Sequence, residues 1–266
     1  MFDNLVWRKD RMLLEDLVFR IEYNKNDDWE LGNECFVFYK DRALVEEYAH
    51  WFSGRDFGSP HIFELGIWDG GSVAFWCECL HPTKHVAIDL TERNDSKYFQ
   101  RYTQTKRLQD RVRTYWGIDQ ADAATIRGIV AREFASPLDL VIDDASHLYG
   151  PSKTSFETLF PLLRQGGVYI IEDWAWAHTK EHQAPDSYFA SESKSLTDLV
   201  CELVEVKGSS GVIASLTVLG GFVAVERGQI DTGVEGFRLE DHISRRPAPL
   251  KATSKYRRIL EKLRLQ

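Results

Sequence analysis

The chain has 266 residues, is 43% hydrophobic and carries a formal net charge of −8. That length suits one α/β domain with added elements, the acidic balance argues against general nucleic-acid binding, and no apolar run is long enough to span a membrane. The start, MFDNLVWRKDRMLLEDL, mixes charges into every turn and has no apolar signal core, so a cytoplasmic location is expected. The four cysteines (Cys35, Cys77, Cys79, Cys201) have no zinc-ligand spacing and read as thiols kept reduced.

Residues 1–59 read as a helical cap rich in aromatic side chains and suited to substrate recognition. Ala43, Leu44, Tyr48, Trp51 and Phe52 share a helical face, whereas Leu13, Leu17, Phe19 and Ile21 fit one poorly. Turn residues between Gly54 and Pro60 mark a linker. A regular alternation follows over residues 60–230, with strands expected at 62–65, 85–88, 112–116, 138–142 and 168–171. Helices are expected between them at 72–80, 95–106, 121–134 and 152–163. A further helix at 193–206 precedes a hairpin of strands 212–218 and 221–226, turning at Leu219-Gly220. This pattern predicts a doubly wound, mostly parallel seven-stranded Rossmann-like sheet with an antiparallel edge.

The tail, residues 231–266, is basic: positions 238–266 hold nine Lys/Arg against three Asp/Glu. It closes with an expected helix at 252–265, with Tyr256, Ile259, Leu260 and Leu263 on one stripe. That stripe suits either a homo-oligomer interface or packing on its own domain.

The first strand of the alternation runs into Glu64-Leu65-Gly66-Ile67-Trp68-Asp69-Gly70-Gly71-Ser72. Gly66 and Gly70 permit a sharp turn, and Ser72 opens the next helix, where backbone amides can approach a ligand. Asp89 ends the second strand 23 residues after Gly66, where a carboxylate can accept from a ribose diol. Trp68 stands where a dinucleotide fingerprint needs glycine, and Glu64 adds negative charge beside the turn. The pair disfavours a diphosphate and favours S-adenosylmethionine, whose amino-acid end carries an ammonium. Asp119, after the third strand, can accept from an adenine amino group or cap the helix that follows.

Two later strands each end in carboxylates: Asp143-Asp144 followed by His147, and Glu172-Asp173. In a parallel sheet both bursts lie at the carboxyl edge, where α/β folds bind ligands. Asp144, Glu172 and Asp173 form a plausible Mg²⁺ set, and a metal-held hydroxyl would lose its proton to His147. Asp143 faces the methionine end of the cofactor or holds a neighbouring backbone amide. Tyr149, His178 and His182 lie in or near loops over the same edge and read mainly as solvated residues.

The segments ELGIWDGGS, AIDL and IDDASH…SFETLFPLLRQGGVYIIEDW resemble the macrocin O-methyltransferase family over about residues 60–230. This family of natural-product sugar methyltransferases is related to the cephalosporin-hydroxylase group. The resemblance implies a class I methyltransferase fold, S-adenosylmethionine, Mg²⁺ and a glycosylated small-molecule substrate. By position it makes Asp144, Glu172 and Asp173 the metal ligands, His147 the general base, and Asp89 the ribose acid. The turn from Glu64 to Ser72 becomes the methionine-binding loop. Ala145 departs from the family's usual glycine. A catechol or phenol acceptor, or a non-catalytic S-adenosylmethionine-binding partner of another enzyme, are the competing expectations.

Overall fold

The computed structural model describes residue 2 and residues 4–21, 34–233 and 236–244. The closing helix expected at 252–265, with its interface stripe, lies outside the described residues.

The chain opens on strands β1 (Leu5–Trp7), β2 (Arg11–Leu14), β3 (Leu17–Arg20) and β4 (Phe36–Val37), before helix α1 (Arg42–Phe52). They form a small sheet in sequence order, antiparallel up to β3 and parallel between β3 and β4. The helical cap expected for residues 1–59 is thus corrected: only α1 was read rightly. Burial alternates along β2 and β3, with Met12, Leu14, Leu17 and Phe19 inward. That is the period of a strand. Glu15, at a φ of 53°, makes the tight turn that reverses the chain.

The main domain adds β5 (His61–Leu65), α2 (Gly71–Leu80), β6 (Lys84–Asp89), α3 (Lys97–Thr105), β7 (Val112–Trp116) and α4 (Ala123–Glu133). It continues with β8 (Leu138–Asp143), α5 (Tyr149–Leu159), β9 (Leu163–Glu172), α6 (Leu196–Ser209), β10 (Ile213–Val218) and β11 (Phe222–Arg227). The sheet order is β10-β11-β9-β8-β5-β6-β7. Strands β5 to β9 run parallel, and the β10–β11 hairpin completes one edge antiparallel. All seven expected strands are present, and the order is doubly wound about the junction of β5 and β8. Among the described residues no helix is long and apolar enough to cross a membrane.

Side chains on the central strands alternate between two cores, as the strand period requires. Ile62, Leu140, Ile142, Ile170 and Phe222 pack with the small sheet, α1 and α2. Phe63, Leu65, Val141, Tyr169 and Val223 pack beneath α4, α5 and α6. The first core contains Phe19, Phe36 and Phe38 together with Phe75, so the N-terminal segment shares the core of the main domain. Asp69 adds a polar tie: its carboxylate accepts from the backbone N–H of Val37 (2.7 Å) and of Gly71 (3.0 Å). Burial outweighs these bonds and pushes the Asp69 carboxyl up to about 7.

A carboxyl raised from 3.8 to about 7 by folding binds more protons in the native state between those values. Its contribution to stability therefore declines as pH rises from about 4 to about 7. Urea unfolding of the wild type and Asp69→Asn across this window should show the wild type losing ground by up to about 4 kcal/mol. Phe19→Ala should cost about 3–5 kcal/mol in one unfolding transition shared with the main domain, because it hollows a common core.

Candidate active site

At the carboxyl edge, where the winding reverses between β5 and β8, the strand ends part around a cavity of about 430 Å³. Its wall is the turn after β5, and the close fit of that turn depends on glycine. Gly66 has a φ of 97°, and a Cβ there would stand 2.1 Å from the carbonyl oxygen of Asp144. The N–H of Asp144 donates to the carbonyl of Leu65 at 2.9 Å, so the two strand ends meet backbone to backbone. Gly70, at a φ of 91°, lies against the ring of Phe99, which a Cβ would strike at 2.4 Å. Gly66 and Ser72 line the cavity, while Gly70 supports the turn from behind.

Asp89 reaches across from β6 and holds the same turn. One oxygen accepts from the N–H of Ile67 (2.9 Å) and of Trp68 (3.0 Å). The other accepts from the N–H of Thr91 (2.8 Å) and from the Thr91 hydroxyl. A ribose diol would have to take over the place of that hydroxyl. Asp119 lines the cavity and accepts from the N–H of Ala121 at 2.8 Å; the α4 cap itself is Asp122.

Two of the expected cofactor contacts do not reach the cavity. Glu64 is fully buried beneath the turn and hydrogen-bonded to His85 Nε2 at 2.8 Å, which corrects the expectation that it faces a ligand ammonium. The strand alternation that turns Leu65 one way turns Glu64 into the opposite core. Asp143 is likewise buried, accepting from Ser155 Oγ (2.9 Å), Tyr169 Oη (3.0 Å) and Gln120 Nε2 (3.2 Å). Burial raises its carboxyl to about 6, against the pull of those hydroxyls. Gln120 turns this buried network into a loop anchor, since its Oε1 accepts from the N–H of Ser146 at 2.8 Å. Gln120 also lines the cavity. Sequence reading passed over it; its place one residue after Asp119 was the available signal.

Beside the cavity lie the two carboxylate bursts. Among the described residues, ligand atoms of Asp144, His147 and Asp173 all lie within 4.8 Å of one another, an arrangement able to hold a metal ion. His147 Nε2 stands 3.8 Å from Asp144 Oδ1, a contact too long for a hydrogen bond. His147 and Asp173 both hold left-handed backbone, at φ of 55° and 52°. Such conformations cost about 1–3 kcal/mol and collect where side-chain aim matters. Burial raises the Asp173 carboxyl, and the charge of Asp144 adds to the effect.

Glu172, expected among the metal ligands, lies outside this group of three. Its Oε2 is 2.5 Å from Lys40 Nζ, and the same ammonium lies 2.6 Å from Asp144 Oδ2. Lys40 is 3% exposed and Glu172 1%. Burial opposes the Lys40 charge, yet the two carboxylates outweigh it and hold the ammonium protonated well past the ordinary lysine range. Glu172 is pushed upward by burial and by Asp144, and Lys40 pulls it back. Its second oxygen is buried and has no hydrogen-bond partner. Lys40 was also missed from sequence, although a lysine directly after Phe36-Val37-Phe38-Tyr39 is a signal of a buried charge.

Above His147, three rings stack in a ladder: His147 on Trp176 (centroids 5.2 Å apart) and Trp176 on His182 (4.9 Å). His182 thus joins the site through Trp176. His178 instead pairs with Thr197 Oγ1, and Tyr149 donates to Glu202.

A methyltransferase-domain family signature matches residues 63–174, which span this whole edge from β5 to the end of β9. Demethylmacrocin O-methyltransferase of Streptomyces fradiae is 31% identical over 139 residues, 47% of this chain and 32% of that protein. Mycinamicin VI 2''-O-methyltransferase of Micromonospora griseorubida is 31% identical over 141 residues, again 47% of this chain and 32% of its own length. Among solved structures, MycE methyltransferase from the mycinamycin biosynthetic pathway, in complex with Mg, SAH and mycinamycin VI, superposes with a TM-score of 0.56. It is 26% identical, over 73% of this chain and 51% of that one. The chain therefore spans about a third of the length of these sequence relatives and about half of the solved neighbour.

Gly66→Ala should lower the unfolding free energy by about 1–3 kcal/mol in urea titration, through left-handed backbone and a Cβ driven into Asp144. Gly54→Ala, at a φ of 79° with open space around it, should lose less. Equal losses would deny the close approach of the two strand ends.

Proposed function

We propose that the chain, through its methyltransferase domain, is a member of the macrocin O-methyltransferase family and moves a methyl group from S-adenosylmethionine to a hydroxyl of a glycosylated natural product, with Mg²⁺ as its metal. One observation carries the reading: a nucleoside-sized cavity opens directly onto a carboxylate–histidine group through the shared residue Asp144.

The cavity fits the proposed methyl donor chemically. Leu90 and Ile118 offer apolar walls for a flat base, with Asp119 and Gln120 beside them. Asp89, Asp119 and Asp144 line it, and among the described residues no lysine or arginine does. Such a lining suits a sulfonium and an ammonium and is hostile to a diphosphate. The metal fits as well: hard carboxylate oxygens of Asp144 and Asp173 converge with a ring nitrogen of His147.

When bound, the donor supplies a methyl group activated by its sulfonium, and Mg²⁺ supplies positive charge that makes a neighbouring hydroxyl more acidic. Asp144 and Asp173 would hold the ion, which leaves His147 Nε2 to take the proton from the acceptor hydroxyl. The stack on Trp176 fixes the imidazole plane. The turn from Leu65 to Trp68, held by Asp89 and by Asp144, sets where the donor lies relative to that proton acceptor. Much of the rate would then come from positioning. The sugar acceptor is taken from relatives that are named for rhamnosyl and olivosyl substrates.

Calorimetric titration should give micromolar binding of S-adenosylhomocysteine and none of NAD⁺; absence of both would remove the methyltransferase reading. His147→Ala should bind S-adenosylhomocysteine as the wild type does while turnover falls by about two to four powers of ten. Asp144→Asn should abolish the activation of methyl transfer by Mg²⁺, and an unchanged Mg²⁺ dependence would reject Asp144 as a ligand.

A further inference from the structure

We propose that Tyr188 is a binding residue for the methyl donor, closing the open side of its cavity, and that Phe189 beside it is a positioning residue joining the bound donor to the ring ladder that holds His147. The inference rests on the donor reading above and adds to it two residues from the segment between β9 and α6, outside the matched domain region.

Two neighbouring side chains serve two different spaces. Tyr188 lines the donor cavity and is 58% exposed; Leu90, which also lines it, is 67% exposed. Such apolar surface at a cavity mouth is what a flat base would cover. Phe189 lines instead the small space beside His147 and Trp176. The rings of Tyr188 and Phe189 meet edge to face, with centroids 5.3 Å apart. Phe189 in turn lies 5.1 Å from Trp176 and 5.2 Å from His182. A continuous row of rings thus runs from the donor cavity through Tyr188, Phe189 and Trp176 to His147.

The ladder is a support and not a surface for substrate. Trp176 already stacks with two imidazoles, and the space that His147, Trp176 and Phe189 help to bound is about 20 Å³. That is room for one water and not for a sugar ring. The segment is pinned at both ends: Trp174 Nε1 donates to the Leu219 carbonyl at 2.9 Å, and Glu192 Oε2 accepts from the N–H of Gly150 at 2.9 Å. Between them, Ser187 Oγ accepts from the N–H of Phe189 at 3.3 Å and opens the short turn Tyr188–Ser191. A donor seated against Tyr188 therefore bears on Phe189 and the ladder behind it. Coupling of this kind is reciprocal, so a ladder that steadies the donor is steadied by it. His147 is set for proton transfer when the donor is in place.

The test is a calorimetric titration of S-adenosylhomocysteine, with Mg²⁺ present throughout, into the wild type, Tyr188→Ala, Tyr188→Phe, Trp176→Ala and the double variant of Trp176→Ala with Tyr188→Ala. Tyr188→Ala should bind about tenfold more weakly, and Tyr188→Phe, which keeps the ring, should stay within about threefold of the wild type. Trp176→Ala removes a residue that does not line the donor cavity, yet it should weaken binding by about threefold. In the Tyr188→Ala background the same change should cost nothing further, because the ring that transmits it is gone. Affinity of Tyr188→Ala within about threefold of the wild type would overturn the proposal. So would a Trp176→Ala variant that binds as the wild type does, or one whose loss persists undiminished without Tyr188. Should Trp176→Ala fail to fold, Phe189→Ala takes its place in the cycle with the same expected outcomes. A wild type that binds no S-adenosylhomocysteine removes the donor reading and this inference together, whereas tight binding unaltered by Tyr188→Ala sinks only the inference.

Discussion

The contact on which the site depends is made by backbone alone. The Asp144 N–H donates to the Leu65 carbonyl, and the next residue of the turn, Gly66, sits against the Asp144 carbonyl with no room for a side chain. This contact closes the floor of the cavity and holds the first of the carboxylates in place. Asp89 fixes the far side of the same turn through Ile67 and Trp68. Gln120 fixes the far side of the Asp144 loop through Ser146. The cavity for one reactant and the acids serving the other are therefore two faces of one strand junction, and neither can shift without the other.

Burying so much charge is the cost of that arrangement. Breaking one partner out of a buried pair generally costs about 3–5 kcal/mol, because the other is left uncompensated. Glu64 is met by His85, Asp143 by two hydroxyls and an amide, and Glu172 by Lys40. The Asp143 network, with both carboxylate oxygens engaged, acts as scaffolding. Glu64 and Glu172 each keep one buried oxygen outside their pair. What sets the Asp144 cluster apart is that ligand atoms of Asp144, His147 and Asp173 converge there, within 4.8 Å of one another.

The N-terminal segment changes in meaning once seen folded. As a separate helical cap it would only have covered substrate. Its small sheet instead shares the first core with α1 and α2, and Asp69 pins β4 to the turn that opens α2. The strand after which Lys40 follows is thus registered against the strand-end turn of the main domain. A residue remote in sequence from both acids, 104 positions from Asp144 and 132 from Glu172, is set between them to within hydrogen-bonding distance.

Strand–helix alternation, the seven-strand count and the position of both carboxylate bursts at strand ends were legible in the sequence. Period-2 and period-3.6 patterns report local geometry, and parallel strands put all their carboxyl ends on one edge. Asp144, His147 and Asp173 were legible for that reason, as were Gly66 and Asp89 in the turn. The early strands were not, because Met12 to Phe19 carries too few residues on each side of the Glu15 turn for its alternation to stand out from a helical pattern. Glu64, Asp143 and Glu172 were recognisable as acids at strand ends, but which oxygen meets a ligand and which a buried partner is a matter of long-range packing. Only the tertiary structure could decide it: His85, Tyr169 and Lys40 lie far from their partners in the chain, and their pairing depends on register across the sheet and on the seating of a separate one.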